Sequence, residues 1–140
     1  MTSVSAISFA STRPEELGKV LAYLFSTFHS PENDPNFSAD AVRWKYFDPH
    51  PWWPGSRSFL LKAGGHIAGH GCVTPVRFVA GGQVTDSMQI IDWAGGRLVP
   101  GAGMLVFRRC LELGDLTLLT IGGKKDQVGF TAEIQKLTKV

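Results

Sequence analysis

The sequence predicts an α+β fold with a mixed, mostly antiparallel sheet flanked by helices. Three observations lead there. The first third carries two helical periodicities, the middle alternates β-rich runs with Gly-Gly pairs, and a glycine bend then opens onto a third helix and an apolar strand. At 140 residues, without internal repeat or linker, one domain spanning 1–140 is expected.

Ser5–Phe9 is short and mixed, and reads as a first strand. Helix 14–28 follows. Thr12 can accept a backbone N–H bond, Pro14 suits the first turn, and Glu15 and Glu16 favour the positive helix end. Leu17, Val20, Leu21 and Leu24 then recur at helical spacing. His29–Phe37 is rich in turn formers, and Ser38 can cap a second helix, Ala39–Tyr46. Phe47–Gly55 holds three prolines and the pair Trp52-Trp53, which excludes regular structure and suits packing over an apolar wall.

From Ser58 the pattern is strands. Ser58–Ala63 and His66–Val73 around Gly64-Gly65 predict one hairpin, and Val76–Ala80 with Gln83–Thr85 around Gly81-Gly82 a second. Ser87–Trp93 is a further strand, ended by Gly95-Gly96. Met104–Leu113 is helical, with Leu105, Val106, Cys110 and Leu113 on its apolar face. Leu116–Ile121 reads as a covered central strand, and Ala132–Val140, capped by Thr131, as a weak tail helix. A helical crossover between strands 87–93 and 116–121 makes them roughly parallel, hence the mixed sheet.

Composition narrows the function. Residues 1–50 carry four Lys/Arg against six Asp/Glu, and residues 51–140 carry ten against six. A mildly basic second part suits a phosphate-bearing small ligand better than nucleic acid, which calls for a dense basic stripe. No apolar run approaches the ~20 residues that span a bilayer, and no signal peptide is visible, so a cytoplasmic protein without membrane partner is expected. Two cysteines are too few for a disulfide framework. His66 and His70 share a strand face without a third ligand nearby, so no metal is expected. His70 and Cys72, neighbours along one strand, are poorly placed for proton transfer.

The bend Val99-Pro100-Gly101-Ala102-Gly103 lies between strand 87–93 and the third helix. Glycines let backbone N–H groups approach an anion, and the helix N-terminus adds aligned donors. A tight turn with no ligand needs the same glycines. The bend is not a Walker loop, because no Gly-Lys-Ser/Thr follows, nor a dinucleotide fingerprint, because Val106 stands where the third glycine belongs.

With that loop and those surroundings, the chain resembles the GNAT-type N-acyltransferase superfamily over about residues 5–130. The family's Arg/Gln-x-x-Gly-x-Gly/Ala loop falls on Leu98–Gly103, and Ile90–Ala94, Thr120–Gly123 and Val128-Gly129-Phe130 fit a divergent branch. The resemblance implies acetyl-CoA or another acyl-CoA as substrate. Its diphosphate would take backbone N–H groups around Val99, Gly101, Ala102 and Gly103, and its pantetheine arm would pair with main chain from Ile91 through Asp92 to Trp93. A small-molecule or peptide amine would then attack the thioester directly.

Asp92, in an apolar strand beside the implied thioester, is the candidate base, against the plainer reading of an acid bonded to the following turn. Trp52, Trp53 and Trp93 are candidates for an acceptor wall or for ordinary packing. The family pattern is broken in three places. Leu98 replaces its Arg or Gln, the only tyrosines are the early Tyr23 and Tyr46, and the fold's last two strands are expected to be lacking after about residue 130. A homodimer mate or partner chain covering the edge of strand 116–121 is therefore a further expectation. So is the alternative function, a truncated, non-catalytic module that binds coenzyme A or a partner chain without turnover.

Overall fold

The computed structural model describes residues 6–31 and 33–114. Four strands form one antiparallel sheet in the order β1-β2-β3-β4: Ile7–Ser11, Ser58–Ala63, His66–Ala80 and Gln83–Gly95. Helices α1 (Leu17–Phe28) and α2 (Ala39–Tyr46) precede β2, and α3 (Ala102–Leu111) follows β4. The predicted strand 116–121 and tail helix 132–140 lie outside the described residues. So do Thr120–Gly123, Val128–Phe130 and the parallel pairing.

The helices divide the core into two layers. Val20 and Leu24 of α1 and Val42 and Tyr46 of α2 pack with Leu60, Cys72 and Ala94 on one side of the sheet. Val106, Phe107 and Cys110 of α3 pack with Phe59, Leu61, Val73 and Ile90 on the other. Strand alternation produces this, since successive side chains leave opposite faces, with one reversal in β4 that brings Ala94 to the side opposite Ile90. Cys110 is buried as expected, and burial pushes its thiol up to about 12.

Several boundaries differ from the sequence expectation, each for a local reason. β1 runs to Ser11, two residues past the predicted end. Thr12 does not cap α1. Its hydroxyl is buried against Ser58 Oγ at 2.7 Å, while the Arg13 N–H donates to Glu16 at the start of a 3-10 turn, Pro14–Glu16. Ser38 does cap α2, accepting from the Ala41 N–H at 3.2 Å. The C-terminus of α2 is closed by the buried Arg57 guanidinium, which donates to the carbonyls of Trp44, Lys45 and Asp48 at 2.6–2.9 Å. That arrangement neutralises the negative helix end.

The first predicted hairpin forms as β2–β3, but its second strand runs on into the second hairpin, whose return strand runs on into strand 87–93, giving one long β3–β4 hairpin. Thr74-Pro75 reads as a break, yet the strand continues through it. The Val73 N–H is taken by the Arg57 carbonyl, so two residues on the nitrogen of Pro75 faces the same edge. There β2 has already ended, at Ser58 opposite Cys72, and no ladder donor is needed. α3 likewise starts two residues early, because Gly101 supplies a left-handed N-cap at φ +75°.

The depth at which α3 seats depends on three glycines. A Cβ on Gly69 would meet Val106 Cγ2 at 2.7 Å, and one on Gly71 would meet Val106 Cγ1 at 2.9 Å. A Cβ on Gly95 would stand 2.3 Å from Gly103 N and 2.7 Å from Gly103 Cα, which are backbone atoms that cannot step aside. Overpacking of this kind costs about 1–3 kcal/mol. Gly95→Ala should therefore lower the melting temperature by roughly 3–10 °C in scanning calorimetry. Gly18→Ala, exposed in α1 with open space around the new methyl, should instead stabilise by about 0.5–1 kcal/mol.

Candidate acyl-CoA site

β4 carries the first half of the site. The β3–β4 register passes from Cys72↔Ile91 to His70↔Ala94, so Asp92 and Trp93 together stand opposite Gly71. This is a β-bulge, and Asp92 adopts φ +49°, a left-handed conformation unusual for a residue with a side chain. The strand pattern 87–93 predicts a regular position for Asp92 instead.

The bulge is fastened on both sides. The Asp92 carbonyl accepts a hydrogen bond of 2.8 Å from His70 Nδ1. A carbonyl can only accept, so Nδ1 carries the proton and Nε2 of the neutral ring is an acceptor. Ser58 Oγ lies 2.7 Å from Nε2 and Thr12 Oγ1 lies 2.7 Å from Ser58 Oγ, continuing the chain into the core. The Asp92 carboxylate points to α2, where Oδ2 accepts from Lys45 Nζ and from Tyr46 OH, each at 2.7 Å. Lys45 also lies over the Phe37 ring, 4.8 Å from its centroid. Burial, reinforced by the adjacent Asp92 charge, holds the Tyr46 phenol far above its ordinary range.

Trp93 carries the second half. Its indole Nε1 donates to the Gly103 carbonyl at 2.8 Å, and its ring packs on Phe107, tying the first turn of α3 to the bulge. Within that turn the Ala102 N–H bonds the Val99 carbonyl at 3.1 Å, and the Leu105 N–H bonds the Gly101 carbonyl at 3.1 Å. Among the described residues, the N–H groups of Gly103 and Met104 meet no protein acceptor, and Gly101 offers no side-chain cap. Open space surrounds the place a Gly101 side chain would take. Leu98 is exposed beside this turn.

The sequence-predicted residues thus fall into two connected groups, Ile91–Trp93 at the bulge and Val99–Gly103 at the helix start. The tryptophans separate. Trp52 and Trp53 line a cleft of about 160 Å³ with Met88 and Leu113, beside the first half of β4. Trp93 belongs to the helix start instead. Lys45, Tyr46 and Ser58 carry no local signal of these roles, since Lys45 and Tyr46 meet Asp92, and Ser58 meets Thr12, across more than 40 residues, and Thr12 reads as a helix cap instead. His70 and Cys72 do share a face, as read, but His70 turns to Asp92 and Ser58, and burial pushes the Cys72 thiol well up. Among the described residues no cluster of three or more His, Cys, Asp or Glu could hold a metal. None of the described helices is long and apolar enough to cross a membrane.

No family model matches the sequence, and no curated protein matches it. Solved structures do match. A GNAT family acetyltransferase from Brucella melitensis in complex with acetyl-CoA superposes with TM-score 0.59 at 17% identity, covering 90% of this chain and 82% of that one. Naa50 of Arabidopsis thaliana, in complex with the bisubstrate analogue CoA-Ac-MVNAL, gives 0.59 at 13%, covering 91% and 81%. A protein from Pyrococcus horikoshii classed as an acetyltransferase gives 0.63 at 14%, covering 92% of this chain. The chain spans only 42% of that protein's length. The fold is therefore that of the GNAT acetyltransferases.

Burial depresses the His70 imidazole to about 4, against an ordinary value near 6.5, although the Asp92 carbonyl and charge act the other way. Between those values the unfolded chain binds a proton that the native site refuses. Stability is thus complete above pH 6.5 and falls as the pH drops towards 4, by about 3 kcal/mol. Glu16, held down to about 2 chiefly by its bond to Lys62, adds a second loss between pH 4.5 and 2. Urea unfolding at pH 7, 5.5 and 4.5 should show the first decline, and His70→Asn should flatten it. An equal slope in that variant would assign the decline to other groups.

Proposed function

We propose that this protein is an N-acyltransferase that moves an acyl group from acetyl-CoA, or another acyl-CoA, to an amine. One observation carries the reading: a strand bulge and a capless helix N-terminus are linked through consecutive residues, Asp92 and Trp93, in the fold of enzymes that use this donor. The diphosphate is assigned to the N–H groups of Gly103 and Met104, with Gly101 giving close approach and Val99 closing the turn beneath. The pantetheine arm is assigned to main chain from Ile91 to Trp93.

The amine nitrogen attacks the thioester carbonyl carbon, the C–N bond forms, the C–S bond breaks, and coenzyme A leaves as a thiolate that takes up the proton given up by the new amide nitrogen. Orientation and main-chain stabilisation of the developing oxyanion contribute most of such catalysis. We assign Asp92 the holding of the cationic acceptor and receipt of its proton through Oδ1. Lys45 and Tyr46 engage Oδ2 and fix the carboxylate. The acceptor class is a small-molecule or peptide amine. A peptide is favoured by the likeness to Naa50, whose analogue carries one. The domain is read as a single unit working in the cytosol, which agrees with two buried, unpaired cysteines.

A second reading, binding of coenzyme A without turnover, is favoured by Leu98 at the Arg/Gln position and by Tyr46 being committed to Asp92. Calorimetry separates both readings from none. Acetyl-CoA and coenzyme A should each bind, and Gly101→Glu should abolish binding by placing bulk and negative charge at the phosphates. Leu98→Arg should tighten it about fivefold, by roughly one added charge-assisted contact. Thiol release with added amines then distinguishes enzyme from binding module. Absence of heat at millimolar ligand contradicts both.

A further inference from the structure

His70 is a fully buried titratable group that the reaction above does not use, and its two nitrogens are both committed. Nδ1 donates to the Asp92 carbonyl, and Nε2 accepts from the Ser58 hydroxyl, whose oxygen in turn accepts from Thr12. The Thr12 N–H is bonded to the Ser58 carbonyl at 2.7 Å, so the far end of the relay is locked to the β1–β2 pair. The near end is a residue at φ +49°, a left-handed conformation uncommon outside glycine that aspartate adopts more readily than most side chains. The Tyr46 ring packs against the imidazole at 5.2 Å between centroids and closes the α2 side.

We infer that His70 is a positioning residue for acyl-CoA. Held by the Ser58–Thr12 relay, it pins the Asp92 carbonyl, keeps the bulge left-handed, and so sets the line of main chain along which the pantetheine arm lies. This rests on the acyl-CoA reading given above. It extends that reading to a buried side chain that touches no ligand, and it makes a demand that plain core packing does not. Only the Nδ1 bond transmits position to Asp92, whereas the Nε2 bond merely anchors the ring.

The two bonds can be removed separately. An asparagine amide takes the place of Nδ1–H, and a glutamine amide takes the place of Nε2. His70→Asn keeps the donor to Asp92 and gives up Ser58, while His70→Gln does the reverse. Imidazole nitrogen NMR of the wild-type protein should show the neutral Nδ1–H tautomer from pH 5.5 to 8. Calorimetric titration with acetyl-CoA should find His70→Asn within about threefold of wild-type affinity and His70→Gln weaker by tenfold or more, at melting temperatures within a few degrees of each other. In His70→Gln the amide resonances of Ile91–Ala94 should move, whereas in His70→Asn they should stay close to wild type.

An Nε2–H tautomer, or equal affinity in the two variants when the wild type binds, overturns the inference and leaves the acyl-CoA reading standing. No binding by the wild type overturns the acyl-CoA reading itself. If either variant fails to fold, Ser58→Ala tests the same relay. It should preserve the Nδ1–H tautomer, and loss of that tautomer with unchanged acetyl-CoA affinity would contradict the inference.

Discussion

The structure depends on how closely α3 can approach the sheet. Gly69, Gly71 and Gly95 make a floor without side chains, and Val106 and the backbone of Gly103 occupy the room they leave. A methyl group on any of the three would lift the helix. Because Gly95 is the last residue of β4, the contact also fixes where α3 begins, and with it the direction in which the N–H groups of Gly103 and Met104 face. An anion site built from backbone needs this rigidity, since no side chain is present to correct a misplaced helix.

Two consecutive residues join that helix to the rest of the molecule. Asp92 is held through its carbonyl by β3 and through its carboxylate by α2, while Trp93 reaches the other way to α3. The bulge that places them on these different tasks requires a left-handed residue. The buried chain Thr12–Ser58–His70 offsets its cost with hydrogen bonds in which no buried side-chain polar atom among the described residues is left without a partner. The two core layers are coupled through this dipeptide, and a change in either is felt at the same stretch of main chain.

Much of this was legible in the sequence. The helical spacing of Leu17, Val20, Leu21 and Leu24, the Ser38 cap and the Gly-Gly turns each act within a few residues, and periodicity reports such effects directly. The bend at Gly101 was legible for the same reason. What escaped was set by distant partners. Thr12 looks like a cap but is claimed by Ser58, and Pro75 looks like a break but sits where β2 has ended. Tyr46 lies early in the sequence yet meets Asp92 in space. No local pattern encodes a contact made across the sheet, so the bulge and its clamp became visible only in three dimensions.

The central claim is that the glycine floor and the Asp92–Trp93 link present the start of α3 to a diphosphate. A crystal structure of the protein with coenzyme A bound tests it most directly. The account predicts phosphate oxygens within hydrogen-bonding distance of the Gly103 and Met104 nitrogens and the ligand's arm running along Ile91–Trp93. Phosphates bound at any other surface, with those two amides left unengaged, would contradict it.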